Sequence, residues 1–312
     1  MRREVQNRKH MSRRRQRALR KRRILIGIMI LIVAAIIGGI VLAVKLNKKA
    51  STTKATTSKD VQNLKLDESG TQATEAEKET KSEDVPDRSG FAVDPNVPVG
   101  SDTANDEKTV YLTFDDGPSY NTQAVLDILD KYNAKATFFV TGINPDYYDM
   151  IKVAYDKGHT IGLHTYSHDY AAVYASQEAY FQDLDQIGQI VKEQIGYVPC
   201  FIRFPGGSSN TISANYTQGI MTALSQEVQN RGYQYYDWNI SCGDGGDNPA
   251  DVLRDQAISV DYTNIVLLMH DANNKETTVA ALPEIIEHYQ NLGYQFKAID
   301  RETFDAHHGI GN

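Results

Sequence analysis

The feature that most constrains the fold is an alternation of two residue patterns that begins after Lys108. Short runs of β-branched and aromatic residues, typical of buried strands, alternate with longer stretches of helical periodicity such as residues 122–132 and 178–194. The predicted strands cover residues 109–113, 136–141, 159–162, 201–204, 235–240, 264–269 and 294–299. Seven strands that alternate with helices predict an α/β fold, a distorted (β/α) barrel of about seven parallel strands.

An uncharged apolar stretch of 21 residues, 24–44, lies near the start of the chain. As a helix it would be about 32 Å long, which matches the hydrocarbon core of a bilayer. Residues 1–23 before it hold 12 Lys and Arg, which the positive-inside rule places in the cytoplasm. A cleaved signal peptide is the alternative, but lysines follow the stretch where small residues would be expected. We therefore expect one transmembrane helix, with the part of the chain that follows it outside the cell.

Residues 45–107 are dominated by Thr, Ser, Lys, Glu and Asp and show no hydrophobic periodicity. Such a composition does not bury enough apolar surface to offset the entropy of ordering, which predicts a flexible extracellular stalk. The chain thus divides into a basic cytoplasmic segment, a transmembrane helix, a stalk, one globular domain and a tail: residues 1–23, 24–44, 45–107, 108–305 and 306–312.

The charge of the chain is unevenly distributed. Beyond the first 23 residues there remain 21 basic and 39 acidic residues, a net charge of −18. Phosphate binding needs clustered cations, so we expect no nucleic-acid partner and consider a neutral or mixed-charge polymer a better fit. Cys200 and Cys242 should be free thiols, because they fall at opposite ends of two predicted strands, beyond the reach of a disulfide.

Candidate reactive residues follow the predicted strands, where parallel barrels place their active sites. The pair His164 and His168 has i, i+4 spacing, so on a helical turn both imidazoles would leave one face and reach a single ion. The full set comprises Asp115 and Asp116 after the first strand, His164 and His168 after the third, Arg203 closing the fourth, Asp244 after the fifth and His270 after the sixth.

Each of these residues has a simpler explanation when it is considered alone. A histidine pair arises readily among eight histidines, and an Asp-Asp dipeptide before Gly117 and Pro118 is typical of a turn. His270 alone would more often be a capping or core histidine, and Arg203 a surface ion-pair partner. Together, two imidazoles and a carboxylate form an open ligand set typical of catalytic zinc, and a second carboxylate supplies the base that hydrolysis requires.

Five segments, in order, resemble the motifs of NodB-homology polysaccharide deacetylases, carbohydrate esterase family 4: TFDDGP, HTYSH, RFPGG, WNISCGD and LLMHD. The resemblance covers about residues 108–300. It implies one divalent metal ion, usually Zn²⁺ with Co²⁺, Ni²⁺ or Mn²⁺ as alternatives, bound by Asp116, His164 and His168.

The resemblance also implies the roles of the other residues. Asp115 would be the catalytic base, oriented by Arg203, and His270 the acid that protonates the departing amine, with Asp244 keeping its imidazole charged. The substrate would contact Gly206, whose N–H stabilises the oxyanion, Leu268 at the acetyl methyl group, and Tyr166 and Tyr170, whose rings could stack on sugars. In one departure from the family pattern, Gly245 follows Asp244 where Trp is common, and in another, Gly206 and Gly207 replace a bulky residue.

The function that this resemblance implies is metal-dependent hydrolysis of N-acetyl groups on an extracellular polysaccharide, with N-acetylglucosamine of peptidoglycan as the first candidate. The alternatives are another polymer, such as an exopolysaccharide, chitin oligomers or acetylxylan, and a non-catalytic wall-binding module. We expect a single-pass protein of a bacterial plasma membrane, with a cytoplasmic N-terminus and a monomeric catalytic domain at the cell wall.

Overall fold

The computed structural model describes residues 88–260 and 262–312. The predicted cytoplasmic segment (1–23), the predicted transmembrane helix (24–44) and most of the predicted stalk (45–107) lie outside the described residues. Among the residues that are described, none of the helices has the length and apolar character needed to cross a membrane.

Eight short strands form one sheet in which every pair runs parallel: β1 (Thr109–Asp115), β2 (Ala136–Thr141), β3 (Thr160–Thr165), β4 (Phe201–Ile202), β5 (Gln234–Tyr235), β6 (Ile240–Ser241), β7 (Asn264–His270) and β8 (Gln295–Phe296). Their order across the sheet is β5-β4-β3-β2-β1-β7-β6, and β8 pairs with β1 as well. The sheet is a curled half-barrel, consistent with the predicted barrel.

The helices that separate the strands are α1 (Thr122–Lys131), α2 (Asp149–Asp156), α3 (Tyr170–Val173), α4 (Gln177–Ile195), α5 (Ile220–Asn230), α6 (Ala250–Ala257) and α7 (Glu276–Asn291). Local sequence sets their ends. For example, α4 begins after Ser176, whose hydroxyl accepts a hydrogen bond from the Ala179 N–H at 3.1 Å, and ends at Gly196, whose φ of 91° is left-handed. The predicted helices at 122–132 and 178–194 are thereby confirmed.

The prediction of a single strand at residues 235–240 is wrong. Its first part is β5, which pairs with β4, and its last residue begins β6, which pairs with β7 at the opposite edge of the sheet. Between them the Tyr236 N–H donates to the Ile202 carbonyl at 2.9 Å and the Asn239 N–H to the Val266 carbonyl at 3.1 Å. The first half of the segment thus hydrogen-bonds to β4 and the second half to β7. The segment therefore spans the opening of the half-barrel.

Strands buried on both faces separate their side chains into two layers. On β1, Val110, Leu112 and Phe114 face the helices in the larger core. Tyr111 faces the interior of the curl, and Thr113 and Asp115 follow it on the same side of the strand. This inner core consists of Tyr111, Phe139, Cys200, Phe201, Tyr236, Val266, Ile299 and Ala306. Cys200 and Cys242 are buried free thiols, as predicted.

Residues 88–107, here termed the N-terminal belt, run along the amino-terminal ends of the strands. At the start of β4 the Phe91 carbonyl accepts a hydrogen bond from the Cys200 N–H at 2.9 Å. At the start of β5 the Gln234 side chain donates to the Val99 carbonyl at 3.1 Å, and at the start of β7 the Asn264 amide donates to the Asn105 carbonyl at 2.7 Å. The belt therefore covers the end of the curl that lies opposite the carboxyl ends of the strands.

The side chain of Arg301 holds the belt through main-chain oxygens. Its guanidinium donates to the carbonyls of Gly90, Ala92, Val97 and Pro98 at 2.5–3.2 Å. At the other end of the chain, the Ala306 carbonyl accepts from the Asp237 N–H at 2.8 Å. The compact part of the chain therefore extends beyond both predicted boundaries, 107/108 and 305/306. Main-chain contacts of this kind leave no trace in composition.

Gly162 tests the packing of the inner core, because a Cβ at this position would lie 2.5 Å from Phe139 Cδ1 and 3.2 Å from the Phe201 carbonyl. The Gly162→Ala variant should lose about 1–3 kcal/mol of unfolding free energy, measured by urea denaturation. Gly90→Ala is the matched control, since a Cβ there meets nothing within 4 Å. Unchanged stability of Gly162→Ala would contradict the described core.

Candidate metal centre and active site

The carboxyl ends of β1, β3 and β7 bring the reactive side chains to one mouth of the half-barrel. Asp115 is the last residue of β1 and His270 the last of β7, and the two are paired in register. His164 lies one residue before the end of β3. All three belong to the inward-facing side of their strands, so the parallel register itself places them together.

Asp116, His164 and His168 form a compact cluster. Their ligand atoms all lie within 4.8 Å of one another, and Asp116 Oδ1 is 3.5 Å from His164 Nε2 and 3.4 Å from His168 Nε2. The expectation of a helical turn from the histidine spacing is wrong. His164 belongs to a strand, and His168 lies in the following loop with a φ of 50°. Asp116 also has a left-handed φ, 68°, which is uncommon for a residue with a side chain and typical of functional loops.

The cluster fits a divalent cation. Asp116 Oδ1 is buried and has no hydrogen-bond partner among the described residues, an unfavourable state that a cation would relieve. His164 Nδ1 lies 2.8 Å from the Arg203 carbonyl, which can only accept, so Nδ1 carries the proton and Nε2 presents its lone pair. Burial lowers the pKa of His164 to about 3, so its imidazole is neutral, as a metal ligand must be.

Asp115 lies beside this cluster with its two oxygens in different surroundings. Oδ1 accepts a hydrogen bond from Arg203 Nη1 at 2.8 Å, and Oδ2 is 3.8 Å from His164 Nε2. Burial raises the pKa of Asp115, and the positive charge of Arg203 opposes that effect. The outcome is a carboxylate with one oxygen fixed and the other directed at the cluster, in a setting that makes it a stronger base than a solvated aspartate.

His270 and Asp244 form the second reactive pair. Asp244 Oδ1 is 2.8 Å from His270 Nδ1, while Oδ2 accepts from the His270 N–H and the Thr278 hydroxyl, each at 2.8 Å. Burial would lower the pKa of His270, but the hydrogen bond and charge of Asp244, with the charges of Asp115 and Asp116, raise it to about 9. The imidazole is therefore protonated near neutral pH, with Nε2 4.0 Å from Asp116 Oδ2.

These groups open into one cavity of about 320 Å³. Its reactive lining is Asp115, Asp116, His164, His168 and His270, and the rest of the wall is Tyr170, Gly206, Trp238, Gly245, Leu268 and Lys275. Tyr170, Gly206 and Leu268, which the resemblance implies as substrate contacts, thus line the cavity. Tyr166 does not line this cavity, because its ring packs over Gly142, where a Cβ would come within 2.1 Å of it. Proximity in sequence to the histidines does not determine which way that ring points.

Three lining residues were not among the predicted site residues. Trp238 lies in the segment that spans the two sheet edges, and its place within the fourth motif was a signal that could have found it. Gly245 follows Asp244, and a Cβ there would meet nothing within 4 Å, so the cavity is open on this side. Lys275 precedes α7 and donates a hydrogen bond to the Asp244 carbonyl, a contact between distant loops for which the sequence held no signal.

Comparison with known proteins agrees with this architecture. Residues 102–222 match the sequence profile of the polysaccharide deacetylase family. A Bacillus cereus relative described as a peptidoglycan-N-acetylglucosamine deacetylase is 32% identical over 206 residues, which cover 64% of this chain and 71% of the relative. The chain therefore belongs to the polysaccharide deacetylase family, and the predicted resemblance is confirmed.

Two further similarities show the range of the family. A crystal structure of the catalytic domain of a Eubacterium rectale peptidoglycan N-acetylglucosamine deacetylase shares 44% identity, with a TM-score of 0.66, and the match covers 70% of this chain and all of that one (100%). A bifunctional xylanase/deacetylase of Pseudobutyrivibrio xylanivorans is 34% identical over 211 residues, 66% of this chain and 32% of the relative. Relatives of the same domain thus carry names that point to different polymers.

The ligand cluster can be tested by removing one imidazole. His164→Ala should weaken binding of added Zn²⁺ by more than the roughly 10–100-fold typical of changes outside the ligand set, as measured by isothermal titration calorimetry. His288→Ala, which removes a histidine from α7 away from the cluster, is the control and should bind as wild type does. Equal affinity of the two variants would show that the cluster is not the metal site.

Proposed function

We propose that this protein is a metal-dependent N-deacetylase that hydrolyses acetamido groups of an extracellular polysaccharide, with N-acetylglucosamine of peptidoglycan as its substrate. The observation that carries the proposal is the convergence of three parts on one cavity: the ligand cluster, the Asp115–Arg203 pair and the His270–Asp244 pair. Relatives described as peptidoglycan-N-acetylglucosamine deacetylases, from B. cereus and E. rectale, support the choice of polymer.

Amide hydrolysis needs an electrophile, a base and an acid. A divalent ion held by Asp116, His164 and His168 would polarise the acetamide carbonyl and make the attacking water more acidic. Asp115 accepts the proton of that water at Oδ2, because Arg203 fixes Oδ1. The Gly206 N–H is assigned to the developing oxyanion, at a left-handed φ of 78° that suits glycine.

His270 completes the reaction. An amine anion is a poor leaving group, so the departing nitrogen needs a proton, and the charged imidazole of His270 holds one at Nε2. Asp244 orients the ring and stabilises its charge through Nδ1. Leu268 supplies the apolar surface beside the metal cluster for the acetyl methyl group, and the Tyr170 ring flanks the sugar.

For the rest of the chain we propose the arrangement expected from its sequence. The apolar stretch 24–44 would anchor the protein in a bacterial plasma membrane with the basic segment 1–23 in the cytoplasm. The domain would then act outside the cell as a monomer, close to the wall polymer. Support for this proposal comes from sequence alone.

A comparison of polymers tests the substrate. The full-length protein loaded with Zn²⁺ should release acetate from peptidoglycan and from N-acetylglucosamine oligosaccharides, and metal stripping should abolish this release until Zn²⁺ is restored. Acetylxylan is the informative third substrate, since a xylanase/deacetylase is among the relatives. Release from acetylxylan alone would show that the substrate is an ester, and release after exhaustive metal stripping would exclude the proposed chemistry.

The role of Asp115 can be separated from metal binding. Asp115→Asn keeps the shape of the side chain but removes the base, so acetate release should fall by about 10²–10⁴-fold. Zn²⁺ affinity should stay near that of wild type. Asp127→Asn, an exposed position on α1, is the matched control and should retain full activity. Normal turnover by Asp115→Asn would mean that another group is the base.

The role of His270 depends on the leaving group. His270→Ala should slow acetate release from an N-acetylglucosamine oligosaccharide by about 10²–10⁴-fold, because the amine can no longer be protonated. Hydrolysis of an aryl acetate, whose phenolate leaves without a proton, should fall by less than about tenfold. An equal loss with both substrates would argue against His270 as the acid.

A further inference from the structure

Trp238 forms one wall of the catalytic cavity, and the C-terminal tail (306–312) lies behind it. The indole packs against Gly207, where an added Cβ would lie 3.1 Å from Trp238 Cη2, and edge-on against the His308 ring, with centroids 4.8 Å apart at 79°. Trp238 belongs to residues 236–239, which lie between β5 and β6 without strand pairing of their own. The ring also packs against the inner core, with Arg203 Cζ 5.7 Å from its centroid, so His308 is one of several neighbours that set its orientation.

Every polar group of His308 forms a hydrogen bond to Trp238 or to a residue close to it. Nε2 lies 2.6 Å from the Trp238 carbonyl, to which it donates, and Nδ1 lies 3.0 Å from the Ser209 hydroxyl, from which it accepts. Its N–H donates to Asp237 Oδ2 at 2.8 Å, and its carbonyl accepts from the Ser208 hydroxyl at 3.3 Å. The main chain and the ring of His308 are thus both held in place.

Asp237 connects the tail to the loop after β4. Its buried carboxylate accepts hydrogen bonds from the Ser208 N–H at 2.8 Å and the Ser208 hydroxyl at 2.5 Å, besides the one from His308. Ser208 directly follows Gly206 and Gly207, and Gly206 is itself part of the cavity lining. Tail, Trp238 wall and glycine loop therefore share one buried carboxylate, so displacement of the tail would loosen two sides of the cavity.

We infer that the C-terminal tail is part of the active site, with His308 as the positioning residue that holds Trp238 as the wall against which a pyranose ring of the substrate packs. This inference rests on the proposed function, because it takes a glycan as the ligand. An indole offers a large apolar face beside a polar cavity, which suits the C–H face of a sugar. The hydrogen bonds of His308 end on Ser208, Ser209, Asp237 and Trp238 rather than on Asp115, His270 or the ligand cluster, so the tail should act on substrate binding rather than on the chemical step.

The chain offers a matched pair of variants, since His307 is a tail histidine that packs on Tyr235 instead of Trp238. Its ring stacks on Tyr235 at 3.8 Å, and its Nε2 lies 2.9 Å from the Tyr235 carbonyl. With full-length Zn²⁺-loaded protein and an N-acetylglucosamine tetramer, His308→Ala should raise KM by about fivefold to tenfold and leave kcat within about twofold of wild type. His307→Ala should leave both constants within about twofold.

Trp238 is the only tryptophan in the chain, so its fluorescence reports on this wall alone. His308→Ala should shift Trp238 emission to longer wavelength and His307→Ala should not. Ser209→Ala, which removes only the hydroxyl that bonds to His308 Nδ1, gives a smaller shift in the same direction and serves if His308→Ala folds poorly. Identical emission and KM for the two histidine variants would overturn the inference. Absence of acetate release by wild type would refute the proposed function instead, while the emission comparison would still test whether His308 holds the Trp238 ring.

Discussion

The buried guanidinium of Arg203 connects the parts of this site to one another. It is fully buried, and it donates to Thr113 and Asp115 on β1 and to the carbonyls of Tyr236 and Asp237 in the segment that spans the sheet edges, all at 2.7–2.8 Å. Its own carbonyl fixes the tautomer of His164. The proposed base Asp115, a candidate metal ligand and the closure of the half-barrel therefore depend on the same residue.

Such an arrangement is stable only when it is complete. A buried charge is costly unless it is paired and its donors are satisfied, and removal of one partner typically costs about 3–5 kcal/mol. Arg203 meets this condition with one carboxylate, one hydroxyl and two carbonyls, and its guanidinium also lies 4.3 Å above the Phe139 ring of the inner core. Stability of the inner core and orientation of the Asp115 carboxylate are thus coupled through Arg203.

Much of this site could be predicted from the sequence, because its residues are tied to strand ends. Asp115, His164 and His270 each end or nearly end a strand, and a run of β-branched and aromatic residues is visible without coordinates. The division of residues 235–240 was not predictable, since a strand pattern does not reveal which neighbour it pairs with. Lys275 and Tyr166 show a related limit: contacts between loops, and the direction of a side chain within a loop, depend on tertiary packing.

The N-terminal belt also fixes the position of the first described residue, Arg88. Arg88 donates hydrogen bonds to the carbonyls of His159 and Tyr155, next to the amino end of β3, so the polypeptide enters the barrel at the end farthest from the ligand cluster. Arg88 and the cavity therefore lie at opposite poles of the domain. A glycan bound at the cavity would therefore be separated from the belt by the length of the strands, and a substitution in the belt would act on the domain from the end opposite the proposed chemistry.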